Sequence, residues 1–341
     1  MKVVFTIVFF FFCHGISTAQ SIKTCDSLIR TGVVQLGENN HLASLENLNR
    51  ALVKATENRW YDQAFLALNN IGANYYALLN YGEALHYYLE AYQIAISHLD
   101  GEREMIVLNN IAILYLSDHE YKKAAEYGER AFDIARKADN PKRMALYGLN
   151  LGLIYNKIGD LRKAAHFFTE VEKIDVQDLN INLINEIGQT ENAYLSKNYG
   201  QALALATSLI PRVQKNTNDT ELSHLYLLLS KIYLEQNNLD EALQFCNKSI
   251  EAAPDLDTKI SGYQQLAAIY MGQEKFENAV SVKDSLLRYS DSLNQVKNGK
   301  YFESNKVSPK QPTIESGAKV SLYPSRRYGS CFFCISMGFS K

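Results

Sequence analysis

Apolar residues in this chain return at helical rather than strand spacing. In the stretch from Ala64 to Tyr92, AFLALNNIGANYYALLNYGEALHYYLEAY, residues Leu68, Ile71 and Tyr75 share one face. After a polar break near Asn80, a second stripe carries Tyr81, Ala84, Leu85, Tyr88 and Ala91. Two such stripes predict two amphipathic helices joined by a short turn. Small Gly72 and Ala84 stand where the two backbones can approach closely.

The same frame slides down the chain. A tyrosine recurs as Tyr75, Tyr115, Tyr155, Tyr233 and Tyr270, and a small second-helix residue as Ala84, Ala124, Ala164, Ala202, Ala242 and Ala279. An aromatic or leucine precedes each alanine by three residues: Tyr81, Tyr121, Leu161, Tyr199, Leu239 and Phe276. A weaker copy comes first, with Gly32, Ser44, Leu48 and Ala51 in the matching places. Self-similarity at 37 to 40 residues predicts a helical solenoid in which each hairpin buries its apolar face against its neighbours. Six clear units and one degenerate first unit are expected. The fourth clear unit, near Thr190 to Leu209, has its glycine and tyrosine out of frame as Gly188 and Tyr194.

These residues resemble the tetratricopeptide repeat family. Its Leu-Gly, Tyr, Ala, aromatic and Ala pattern appears as Ile71-Gly72, Tyr75, Ala84, Tyr88 and Ala91, and again as Leu151-Gly152, Tyr155, Ala164 and Phe168. The period near 40 departs from the family's 34, which implies longer helices or connections. The resemblance covers about residues 24 to 290. It implies an all-α, right-handed superhelical solenoid of antiparallel helix pairs whose concave face is lined by positions two, five, nine, twelve and thirteen of each unit. On that register position two gives Leu66, position five Asn69 and Asn109, and position twelve Tyr76 and Asn156. An asparagine amide both donates and accepts, so it can clamp an extended peptide backbone. Leu66 and Tyr76 could take an apolar side chain beside it. Few cations are expected on this face, which disfavours an acidic peptide tail as ligand. Asn70, Asn110 and Asn150 recur at 40-residue steps and read as structural.

Composition and charge narrow the picture. The chain has only 6 prolines in 341 residues, and three of them (Pro309, Pro312, Pro324) fall in the last stretch. A formal net charge of −2 offers no basic field for nucleic acid. The seven histidines show no metal-ligand spacing, and no glycine-rich phosphate loop occurs. No enzyme, metal or cofactor is therefore expected. Met1 to Ala19 reads as a secretory signal peptide, with Lys2, an apolar run from Val3 to Cys13, and Ser17-Thr18-Ala19 as a small-residue cleavage site. The apolar run is too short to span a bilayer. Cleavage leaves Cys25, Cys246, Cys331 and Cys334, and distant repeats keep Cys25 from Cys246.

The expected organisation is a signal peptide at 1–19, a solenoid at 20–292 and a tail at 293–341. Val282 to Val307, with Lys283-Asp284-Ser285-Leu286, resembles the close of the periplasmic repeat domain in Gram-negative membrane signalling proteins. The abrupt change of character near Ser308 reads as a frameshift or a disordered tail. The expected function is an exported peptide- or protein-binding module, the sensor part of a truncated signalling protein. The alternative is a structural scaffold in a cell-envelope complex. The expected location is the periplasm or cell envelope of a Gram-negative bacterium, with a protein or peptide ligand and a homodimer left open.

Overall fold

The computed structural model describes residues 22–174, 178–215 and 219–307. The signal-peptide and tail readings at 1–19 and beyond 307 lie outside the described residues. Within them the chain is helical throughout, with no strand. A first helix, α1, covers 22–37. The others are α2 (His41–Glu57), α3 (Tyr61–Ala77), α4 (Tyr81–His98), α5 (Gly101–Ser117), α6 (Tyr121–Lys137), α7 (Pro141–Ile158), α8 (Leu161–Lys173), α9 (Leu179–Leu195), α10 (Tyr199–Lys215), α11 (Asp219–Glu235), α12 (Leu239–Ala252), α13 (Leu256–Gly272) and α14 (Phe276–Val307). Paired in order they make seven hairpins. Most helices run to 17 or 18 residues, which accounts for a period longer than 34. The last helix has 32 and passes the expected boundary at 292.

Two compact units divide the described residues. The first comprises the residues to Leu114 together with those from Gly299, and the second comprises Tyr115–Asn298. In the first, α3 packs on α4 and on α2. In the second, each helix from α6 to α13 packs on the next.

The turn inside a hairpin follows one plan. One residue takes the left-handed conformation (Asn39, Leu79, His119, Gly159, Lys197, Asn237 or Glu274), and only one of these is glycine. Except at Gly159, the next amide then folds back on a carbonyl five residues upstream, as Asn80 N to Tyr75 O at 2.9 Å and Asn238 N to Tyr233 O at 2.8 Å. This is the Schellman closure, which satisfies carbonyls a helix end would leave unpaired. Side-chain caps then start the following helix: Asn80 Oδ1 accepts from Glu83 N, and Asp160 Oδ1 from Lys163 N.

The slot twelve residues before the recurring alanine is always small: Gly32, Gly72, Ala112, Gly152, Thr190, Ser230 and Ala267, and at Gly32, Gly72 and Gly152 it faces the second helix of its own hairpin. Ser230 lies fully buried there and donates to the Ala242 carbonyl at 2.8 Å. The recurring tyrosines stack on an aromatic twelve residues later. The pairs are Tyr75 with Tyr87 (5.4 Å between centroids), Tyr115 with Tyr127 (5.5 Å), Tyr155 with Phe167 (5.7 Å) and Tyr233 with Phe245 (5.5 Å). Tyr75 and Tyr155 are core, whereas Tyr115, Tyr233 and Tyr270 are only half-buried. Lys123 and Lys163 lie over the rings of Tyr115 and Tyr155, so one π face of each of those two rings meets a cation.

In the fifth hairpin, α9–α10, Ala193 fills the tyrosine slot and Tyr194 turns to the Tyr199 ring. Its displaced Gly188 has a different use. A Cβ there would meet Phe168 of the preceding hairpin at 2.6 Å, so the glycine admits that ring between α7 and α9. Cys25 and Cys246 are both buried free thiols. Burial pushes the Cys246 thiol up to about 12, which leaves it inert.

Candidate inner-face site

First helices in the second unit touch one another in succession: α7 on α9, α9 on α11, and α11 on α13. They form one row of first helices, the helices on which the tetratricopeptide repeat resemblance places its ligand positions. Five residues carry the sequence-level expectation, and the structure treats them differently.

Leu66 and Tyr76 are half-buried on α3, and Tyr76 leans on the Tyr81 ring at 5.7 Å. At 100° per residue they share a face with Asn69. Asn69 is 8% exposed, and its Oδ1 accepts from Asn110 Nδ2 at 2.8 Å, across neighbouring hairpins. Asn109 is buried on α5 at 5% exposure. The partner brought to Asn69 is therefore Asn110, one residue along. Nearby, Arg103 Nε donates to Asp62 Oδ1 at 2.6 Å and its guanidinium lies 5.9 Å from the Phe65 ring centroid, a second tie between α5 and α3.

Asn156 departs from the expectation of a ligand contact. At 4% exposure its Nδ2 donates to the Gly188 carbonyl at 3.1 Å, while its Oδ1 accepts from Asn192 Nδ2 at 2.8 Å. Both ends of the amide are spent joining α7 to α9. Such a group is expensive to uncover, because each buried partner would lose its bond.

Four residues that the sequence reading did not single out form the most charged part of that row. Lys157 Nζ lies 2.9 Å from Glu191 Oε1, and the carboxylate side chain is only 13% exposed. Burial pushes the Glu191 carboxyl up, but Lys157 chiefly, then His224 and Lys231, pull it below the usual range. On α11, His224 and Lys231 stand seven residues apart, two helical turns along one face. Burial holds the Lys231 ammonium below its ordinary value, opposed by Glu191 and reinforced by Lys157. Burial likewise lowers His224, with Glu191 opposing and the two lysines adding. All four could have been found: the register that puts Leu66 at position two puts His224 there as well. Position nine gives Glu191 and Lys231, and position thirteen gives Lys157. Lys157 and Lys231 are cations on a face where few were expected.

Among the described residues no group of three His, Cys, Asp or Glu side chains is placed to hold a metal ion, and no helix is long and apolar enough to cross a membrane.

No curated protein matches the chain in sequence. Solved structures match it in fold. A tetratricopeptide repeat protein from Parabacteroides merdae ATCC 43184 is 16% identical with a TM-score of 0.60, covering 82% of this chain and 99% of its own. The STAND protein PH0952 from Pyrococcus horikoshii, with a tetratricopeptide repeat sensor, is also 16% identical with a TM-score of 0.61, covering 82% of this chain and 44% of that one. NprR, solved with its cognate peptide NprX, is 13% identical with a TM-score of 0.56, covering 80% and 86%. A tetratricopeptide repeat model matches residues 63–137, and the model of the MalT-like TPR region matches residues 109–297. With over half its length inside that second match and its helices paired as hairpins, the chain belongs to the MalT-like TPR family.

Proposed function

We propose that the chain is a peptide- or protein-binding module whose ligand lies along the first-helix face. Leu66 and Tyr76 supply apolar contact, and Asn69 with Asn109 supplies amide groups. The observation that carries the reading is the polar first-helix face itself. Stacked helices bury apolar side chains by default, yet on α3 and α5 Asn69 and Asn109 are held at 8% exposure or less. The likeness to NprR, solved with a peptide, supports the same reading.

A pool of short random peptides, with the retained fraction separated by size exclusion and identified by mass spectrometry, tests it. Retained peptides are expected, and Asn69→Ala should weaken them about fivefold if one amide bond of ~1 kcal/mol is lost. Unchanged retention in the Asn69→Ala, Asn109→Ala double variant would move contact off this face. Retention of nothing would refute the peptide reading.

We further propose that the module is exported and serves as the sensor part of a signalling protein in the cell envelope. The apolar run at Val3 to Cys13 and the small residues at Ser17 and Ala19 support it. Intact mass of the exported product should begin at Gln20, and a retained Met1 to Ala19 would rule the reading out. The scaffold reading draws on α14, where Phe276, Val280 and Leu287 are 57%, 60% and 65% exposed along one stripe.

A further inference from the structure

We propose that the exposed side of α14 joins two copies of this chain, each laying Phe276, Val280 and Leu287 on the same stripe of the other. The scaffold reading gives this stripe to a large partner protein. The pairing rests neither on that reading nor on peptide binding.

The stripe is a surface that earlier hairpins cover and the last one does not. Counted from the recurring alanine, Phe276 stands three before, Val280 one after and Leu287 eight after. At 100° per residue the three fall within about 40° of one another. Eight after, the earlier hairpins place Phe132, which is 5% exposed, and Ile250, which is half-buried. Both rest on the first helix of the next hairpin. A Cβ at Gly148 would meet the Phe132 ring at 3.3 Å, and one at Gly262 would meet Ile250 Cγ1 at 2.5 Å. One after, Leu243 packs on a cluster that includes Leu266 of α13. On α14 the same three places are 57%, 60% and 65% exposed.

The path of the chain leads away from the stripe. Second helices from α4 to α12 end no more than six residues after the place that Leu287 holds, and a first helix then folds back. From Leu287, α14 instead runs on to Val307, on the order of 30 Å farther at 1.5 Å per residue.

Charge selects a copy of the same surface. Exposed Glu277, Asp284 and Asp291 border the stripe together with exposed Lys283 and Arg288. A face of one sign would call for a partner of the other, whereas a face of mixed sign can oppose itself. A two-fold axis crossing α14 between Ser281 and Val282 sets Phe276 on Leu287 of the second copy, and the reverse contact follows by symmetry. Val280 then meets the aliphatic stem of Lys283, whose ammonium stays in water. An axis along the helix would set Lys283 against itself. About three turns a side fall short of the ~1,200 Å² of a standard interface, so the pair is weak and depends on concentration.

Sedimentation equilibrium of the full chain over a hundredfold range of concentration tests the pairing. The wild type should pass from monomer to dimer mass. Each substitution enters a two-fold contact twice, so Leu287→Glu should weaken association at least tenfold while leaving the melting temperature of dilute protein unchanged. Leu179→Glu, on a residue 78% exposed in α9, should associate as the wild type does. A dimer of undiminished affinity in the Val280→Glu, Leu287→Glu double variant would lie on another surface and overturn the pairing. A mass series that runs past the dimer would mean head-to-tail contact and overturn the two-fold. A wild type that stays monomeric overturns the pairing as well. In that case a lowered melt in Leu287→Glu assigns the stripe to another segment of the same chain, and an unchanged melt assigns it to a different protein. Peptide retention is read separately and stands or falls by itself.

Discussion

Replacing Gly152 with alanine sets two opposing effects against each other at one atom. Alanine favours the α7 helix by ~1 kcal/mol over glycine. The new Cβ, however, would lie 2.4, 2.6 and 2.8 Å from Cε1, Cδ1 and Cζ of Phe168. Carbon atoms prefer about 3.5–4.0 Å, so the ring would have to retreat by about an ångström. It has nowhere to go. Phe168 is fully buried, and on its other side a Cβ at Gly188 would meet the same ring at 2.6 and 2.7 Å. The ring is clamped between two glycine backbones, and overpacking of this kind costs ~1–3 kcal/mol, here towards the upper end. The balance is a net loss of about 1–2 kcal/mol. Urea unfolding followed by circular dichroism at 222 nm measures it, with Gly82→Ala as the control. That position meets nothing nearer than Asn80 Oδ1 at 3.9 Å, so alanine there should be neutral or stabilising. A Gly152→Ala midpoint equal to or above the wild type would show that Phe168 is not confined, and the crossing geometry argued above would fail.

Leu79 sits in the left-handed region at φ 61°, and glycine there should stabilise by ~0.5–1 kcal/mol, read as a higher melting temperature. Ala164 is fully buried at the α7–α8 crossing, so Ala164→Tyr should destabilise by more than ~1 kcal/mol, and an unaffected melt would contradict its placement. The Glu191 carboxyl has a depressed pKa, so its stabilisation is complete above the unfolded carboxylate value of about 4.3. That stabilisation is lost as pH falls through the lower folded value. Lys157→Met should flatten this acid limb of a melting-temperature profile, and an unchanged slope would show that the pair does not couple to folding.

The helix period, the hairpins and the small crossing slot were legible because each is repeated within the sequence. What joins one hairpin to the next was not. Gly188 looked misplaced inside its own repeat, since its partner is Phe168 of the preceding one. Residue type marked Asn69 and Asn156 as polar positions on the right helices, but could not tell an amide offered outward from one spent between helices. The charged cluster was missed for a simpler reason. Its members occupy the same register as Leu66, yet each stands in a different unit with a different residue type, so no recurrence draws the eye. Length of the last helix also escaped, because repeat logic is silent on where a terminal element stops. Leu286, Tyr289, Leu293 and Val296 carry the helical spacing on through α14.

The stacked rings twelve residues apart have a consequence for how the chain assembles and opens. Each pair closes a loop of one turn and little more, so its contact forms early and without waiting for distant segments. Folding can then start at any of the four hairpins that carry a pair and spread by docking of neighbours. The α9–α10 hairpin has Ala193 where those rings begin, and twelve residues on it offers Leu205. It is held by its neighbours more than by itself. Amide protons of α9 and α10 should therefore exchange with solvent sooner than those of α7 or α11, making this hairpin the seam at which the second unit first parts.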